Sequence, residues 1–176
     1  MKPLLFVTLG FPGSGKTFFS RRLARDFKLT HLNSDKLRLE IFKKPKYSLE
    51  ENKILFDKMD FLADRYLSAG KSVIYDANVT RRKFRNKLRK IADKHGAVYM
   101  LLRFQVSADV AINRIKERSK LKSKLLKKYY RPIDKSILFN IKKDIQEPKK
   151  REPHIFIDAS RPYQEQLKTI TKLLKK

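Results

Sequence analysis

An apolar run, Leu4–Leu9, stops at Gly10-Phe11-Pro12-Gly13-Ser14-Gly15-Lys16-Thr17. Apolar residues then resume at helical spacing, with Phe18, Phe19, Leu23 and Phe27 separated by Arg21, Arg22 and Arg25. This succession reads as strand, glycine loop, helix, and no other stretch constrains the fold as tightly. The loop fits G-x-x-x-x-G-K-[ST], the Walker A pattern. Glycines there let successive backbone N–H groups converge on one phosphate, and the following helix turns its positive dipole end to the same point. Lys16 is expected to reach the β- and γ-phosphates, and the Thr17 hydroxyl to ligate Mg²⁺. The chain has only five glycines, and three of them stand in this loop. The expected ligand is a nucleoside triphosphate with Mg²⁺, cradled by Gly10, Pro12, Gly13, Ser14, Gly15, Lys16 and Thr17.

The rest of the chain repeats the alternation. Short strands are expected at Leu29–Asn33, Ser72–Tyr75, Ala97–Phe104 and His154–Ile157. Helices are expected over 36–42, Ser48–Ala69, Arg81–His95, Ser107–Arg118, 133–145 and Tyr163–Leu174. Ser34 or Asp35 is a candidate cap for the second helix, Thr80 for the basic helix after it, and Ser107 for the next. Ser48-Leu49-Glu50-Glu51 is a capping box. Residues 119–133 show no period and read as a loop. Strands alternating with helices about five times predict a three-layer α/β/α fold with a parallel sheet of about five strands. Residues 1–176 read as one domain, with a basic lid over about 114–133 and the ligand at the sheet's C-terminal edge.

Residues after the second and third strands offer the acceptor side of a reaction. Asp35 and Arg38, three apart, share a helical face. A carboxylate there can accept the proton of an attacking hydroxyl, and the arginine can hold an anionic part of the same molecule. The competing assignment is a capping aspartate with a surface arginine. Asp76 ends an apolar strand, Val73-Ile74-Tyr75-Asp76, as an acid beside Mg²⁺ would; a turn-forming aspartate is the alternative. Arg114 and Arg118 lie on one helix face before the lid, placed to meet phosphate charge.

The 176 residues carry a formal net charge of +26. Residues 1–80 have 15 basic and 9 acidic groups, whereas 81–112 have 9 and 2, and 113–151 have 15 and 4. The excess thus sits on the helix after Asp76 and in the lid region. Clustered Lys and Arg suit a polyanion, DNA or RNA, or else a solvated face. Lys83, Arg85, Lys87, Arg89 and Lys90 could follow a strand's phosphates, with Phe84, Tyr129 and Tyr130 available to stack bases. The absence of cysteine excludes disulfides and a thiol nucleophile. His31, His95 and His154 are too scattered in sequence to suggest a zinc site. No apolar run approaches a membrane span, and the first residues are too short for a signal peptide, so a cytoplasmic chain without membrane contact is expected. Nothing in the sequence sets an oligomeric state.

Taken in order, Gly10–Thr17, Asp35-x-x-Arg38, Tyr75-Asp76-Ala77-Asn78 and Arg114-x-x-x-Arg118 resemble a branch of the P-loop kinases. That branch includes the kinase domain of bacteriophage polynucleotide 5′-hydroxyl kinase, the zeta toxins and related small phosphotransferases. The resemblance covers nearly the whole chain, and Arg131-Pro132-Ile133-Asp134 also looks like a loop-to-helix step of that domain. It implies an ATP-dependent transfer of a γ-phosphate to a 5′-hydroxyl. It further implies that Asp35 is the general base, Arg38 grips the neighbouring substrate phosphate, and Arg118 touches the nucleotide phosphates. The chain lacks the D-x-D-x-[TV] phosphatase motif and the K-x-D-G ligase motif. A small-molecule kinase of the toxin or antibiotic-modifying type, or a nucleic-acid-binding NTPase, remains open as an alternative.

Overall fold

The computed structural model describes residues 2–120, 140–141 and 143–174. Strands β1 (Leu4–Leu9), β2 (Thr30–Asn33), β3 (Val73–Asp76), β4 (Val98–Gln105) and β5 (His154–Asp158) form one parallel sheet in the order β2-β3-β1-β4-β5. Between them run α1 (Lys16–Asp26), α2 (Ser34–Ile41), α3 (Leu49–Ser68), α4 (Arg82–Lys94) and α5 (Ala108–Lys120), and α6 (Tyr163–Leu174) closes the order. The expected fold class is the one observed. The part of the expected lid beyond Lys120 lies outside the described residues, with Tyr129, Tyr130 and Arg131–Asp134. So does most of the helix expected over 133–145.

The central strands β1, β3 and β4 are mostly apolar because both faces of the sheet are covered there. Side chains alternate across β1. Leu5, Val7 and Leu9 pack with Leu55 and Met59 of α3 and with Leu88 and Ala92 of α4. Phe6 points the other way, toward Phe19 and Leu23 of α1 and Ile170 of α6. Each of the larger of these side chains, fully buried, contributes roughly 1.5–3 kcal/mol. From β1 the chain turns toward β2, whereas from β4 it turns toward β5. The crevice at the C-terminal ends of β1 and β4 is therefore the switch point at which such sheets hold ligands.

One charged side chain fastens a long excursion to this frame. Arg85 of α4 is fully buried, and all five of its N–H groups have acceptors. Nε and Nη2 donate to the Glu152 carboxylate at 2.6 and 3.0 Å. Nη1 donates to the carbonyls of Val79 and Thr80, and Nη2 also to that of Gln146. The segment that returns toward β5 is thereby tied to the start of α4. Gln146 completes the joint: its backbone N–H donates to the Thr80 carbonyl, and its Oε1 accepts the N–H of Arg82. Arg103, buried in β4, forks onto Glu147 in the same segment.

This geometry corrects several expectations. Arg85 cannot follow a nucleic-acid strand, because its guanidinium is enclosed. Lys87 pairs with Asp60 at 2.7 Å and with Asp57 at 3.6 Å, both on α3. Thr80 does not cap α4. Arg81 stands at that position without a side-chain cap bond, and Gln146, remote in sequence, caps the first turn instead. Asn33 caps α2, accepting from the Lys36 N–H at 2.9 Å, rather than Ser34 or Asp35. Ser107 does cap α5, and Ser48 caps α3 as the capping box requires. Glu51, however, accepts the N–H groups of Lys46 and Tyr47 instead of that of Ser48.

Arg85→Ala should lower stability by about 3–5 kcal/mol, because it strands the buried Glu152 carboxylate. Arg85→Lys should fail as well, since an ammonium cannot supply a five-donor fork. Lys83→Ala, on the exposed face of the same helix, should stay within about 0.5 kcal/mol. Urea unfolding of the three variants measures this; an Arg85→Lys protein of native stability would show that charge alone suffices.

Candidate active site

The loop between β1 and α1 owes its shape to two left-handed glycines. Gly13 has φ +80°, and a Cβ there would sit 2.4 Å from the Ala111 carbonyl oxygen of α5. Gly15, at φ +84°, is the residue from which α1 starts. Any larger residue at either position strains the backbone. Gly10 lies against Phe104 at the end of β4, so the loop is wedged between β4 and α5. Ser14 is buried beneath it.

Lys16 folds over the loop and donates from Nζ to the carbonyls of Gly10 (2.8 Å) and Phe11 (2.7 Å). Desolvation pushes its pKa down to about 8, against the opposing pull of Asp76 and Asp35. Thr17 Oγ1 donates to Asp76 Oδ1 at 3.4 Å. Asp76 is 2 % exposed. Its other oxygen accepts from Asn33 Nδ2 at 2.7 Å and lies 2.9 Å from His31 Nε2. A hydroxyl beside a carboxylate is an all-oxygen donor pair of the kind Mg²⁺ takes while keeping several waters and substrate phosphates as further ligands. Thr17 and Asp76 therefore fit the ion they were expected to bind. Among the described residues no larger His, Asp or Glu group gathers that could hold a metal.

One pocket joins these groups to the acceptor side. Pro12, Gly13 and Gly15 line it with Lys16 and Thr17; Asp76 and Asn78 form another part, and Asp35, Arg118 and Ile141 complete it. Asp35 stands in the cleft mouth, open to solvent. Its carboxyl nonetheless lies above the ordinary aspartate range, first because the protein around it strips away water and then because Asp76 repels a second negative charge. Since Asn33 takes the cap, the Asp35 carboxylate is not engaged in that role. Arg118, near the end of α5, is exposed and close enough to influence both Lys16 and Asp35.

Two further sequence-expected arginines are absent from the pocket lining. Arg114 reaches the β5–α6 turn, donating to the Ala159 carbonyl at 2.9 Å while its guanidinium lies beside Gly15. Arg38 is 6 % exposed and turns toward α3. It donates to Asn52 Oδ1 at 2.6 Å, pairs with Glu51 at 3.6 Å and lies under the Tyr47 ring at 4.7 Å. It does not line the pocket: its contacts are with α3 and Tyr47. His31 and Asn33 are site residues that sequence reasoning missed. A lone histidine on a strand has no visible partner until β2 is seen to pair with β3, which sets Asn33 opposite Asp76.

Solved kinase structures share this architecture. A sugar kinase from Janibacter sp. HTCC2649 is 18% identical, with a TM-score of 0.72, covering 98% of this chain and 95% of that one. APS kinase CysC from Mycobacterium tuberculosis, solved with AMPPNP and APS, is 18% identical with a TM-score of 0.67 and 99% coverage of both chains. A chain of the Pnkp1/Rnl/Hen1 RNA repair complex is 20% identical with a TM-score of 0.68, covering 81% of this chain and 44% of that one. At these identities the likeness establishes a P-loop kinase-like fold. No curated protein matches the sequence. Residues 5–128, most of the chain, match the model of the AAA domain family, and the chain belongs to that family.

Proposed function

We propose that this chain is an ATP-dependent phosphotransferase whose acceptor is the 5′-hydroxyl of DNA or RNA. The observation that carries the reading is the single pocket in which Lys16, Thr17 and Asp76 meet Asp35 and Arg118. The first three residues suit the donor phosphates, and Asp35 stands across the cleft with its carboxylate uncommitted to a cap. Asp35 takes the hydroxyl proton as the acceptor oxygen bonds to the γ-phosphorus, and the bond from that phosphorus to the bridging oxygen breaks to release ADP. Lys16 and Arg118 face the negative charge of the transferring group. Mg²⁺, bound with the nucleotide by Thr17 and Asp76, would neutralise phosphate charge.

The nucleic-acid acceptor rests on charge that is not already used within the fold. Lys83 and Lys90 on α4 are exposed, and so are Lys149, Lys150 and Arg151 on the returning segment. Phe84 is half exposed, with Lys83 Nζ 5.0 Å from its ring, offering an apolar face beside a cation. Among the similar structures one belongs to an RNA repair complex and another is a sugar kinase. A small-molecule acceptor is accordingly the competing reading, and the seclusion of Arg38 favours it.

Labelled γ-phosphate should pass to a 5′-hydroxyl oligonucleotide and not to sugars or nucleosides; the reverse pattern contradicts the reading. Asp35→Asn should lower kcat by about 10²–10⁴-fold and leave nucleotide affinity intact. Because the folded protein raises the Asp35 pKa, kcat/KM should fall with decreasing pH through a midpoint above the ordinary aspartate range, and the variant should lose that limb.

Lys16 supplies a separate check. Its pKa of about 8 must rise when a triphosphate lies against it, so nucleotide binding at pH 8.5 should take up a proton. Calorimetry in buffers of different ionisation heat should report that uptake, and Lys16→Arg, charged throughout, should abolish it. A binding heat independent of buffer in the unmodified protein would remove Lys16 from the phosphate site.

A further inference from the structure

Asn33 ends β2, and its side chain bonds in two directions. Oδ1 accepts the Lys36 N–H at 2.9 Å and so starts α2. Only a side-chain oxygen can do this, which fixes the amide orientation and leaves Nδ2 toward Asp76. Nδ2 donates to Asp76 Oδ2 at 2.7 Å, on the oxygen that His31 Nε2 also meets at 2.9 Å. The remaining oxygen, Oδ1, is the one facing Thr17. The Asp76 carboxylate is buried, so no bulk water can take over a lost bond.

From this geometry we infer that Asn33 is a positioning residue that couples the metal side of the site to the acceptor side, resting on the phosphotransfer reading above. Its N–H fixes Asp76 Oδ2 and thereby presents Oδ1 beside Thr17. Its oxygen fixes the first turn of α2, where Asp35 stands two positions on. The distance from base to phosphate-binding loop is held through one amide. His31 supports the same carboxylate oxygen and restrains its rotation.

Asn33→Ser separates the two functions, because serine caps a helix about as well as asparagine but has no amide N–H to give Asp76. The variant should lose less stability than Asn33→Ala, which removes the cap as well, and, without metal, should bind a non-hydrolysable ATP analogue within about twofold of normal. Mn²⁺ binding to the protein–analogue complex, followed by electron paramagnetic resonance, should weaken by about 10–100-fold, as is usual when the partner of a metal ligand is removed. kcat should fall with it while the KM for ATP changes little. Asn33→Ala should show the same metal defect and also lose stability. His31→Gln, which keeps a donor, should be closer to native than His31→Ala. Native Mn²⁺ affinity and native kcat in Asn33→Ser would overturn the inference and reduce Asn33 to a cap. A loss of stability in Asn33→Ser equal to that of Asn33→Ala would overturn it too. The Mn²⁺ measurement needs no acceptor, so it stands even if the protein transfers nothing to a 5′-hydroxyl strand.

Discussion

The site depends on how one buried carboxylate is divided. Asp76 closes β3, and β3 lies between β1 and β2 in the sheet. Its two oxygens therefore face two different neighbours. One meets Thr17, at the start of the helix that follows β1. The other meets His31 and Asn33 on β2. A buried, negatively charged group needs donors on both sides, and here those donors are the elements that carry the phosphate loop and the candidate base. The strand order brings them within reach, since parallel strands end on one edge and the loops that follow them share that edge.

The charge of the chain divides in a similar way. Arg85, Arg103 and Gln146 fasten the returning segment to α4 and β4, so part of the positive excess is structural and faces inward. A buried arginine with five acceptors is held by geometry as much as by charge. Among the described residues, the cations left exposed near that joint include Lys83 and Lys90 on α4 and Lys149, Lys150 and Arg151. In the proposed function it is exposed groups such as these, rather than the bulk figure of +26, that would contact a polyanionic acceptor.

Much of the fold was legible because its signals are local. The apolar strands, the glycine loop and the capping of α3 by Ser48 each need only a few neighbouring residues. The failures share a cause, which is that the deciding partner is remote. Asn33, Ser34 and Asp35 are all acceptable caps in sequence, and only the point where β2 stops pairing with β3 selects Asn33. Thr80 lost the start of α4 to Gln146, 66 positions later. Arg85 looked like a free cation until Glu152 was placed beside it. His31 acquired a role only through the pairing of two strands whose partner residues lie 43 positions apart. The pocket itself was largely readable, since Lys16, Thr17, Asp35, Asp76 and Arg118 all line it. Arg38 was not, because its place under Tyr47 follows from how α2 packs on α3.

The proposed acceptor is a chain of phosphates as well as a hydroxyl. This is tested most directly by the salt dependence of kcat/KM for a 5′-hydroxyl oligonucleotide, with ATP saturating. If the exposed lysines and arginines contact about three phosphates of a single strand, the slope against log salt should be near −2. Activity should then drop by about tenfold or more between 50 and 200 mM. A slope near zero, with full activity on a single nucleoside, would contradict the account and assign the pocket to a small acceptor.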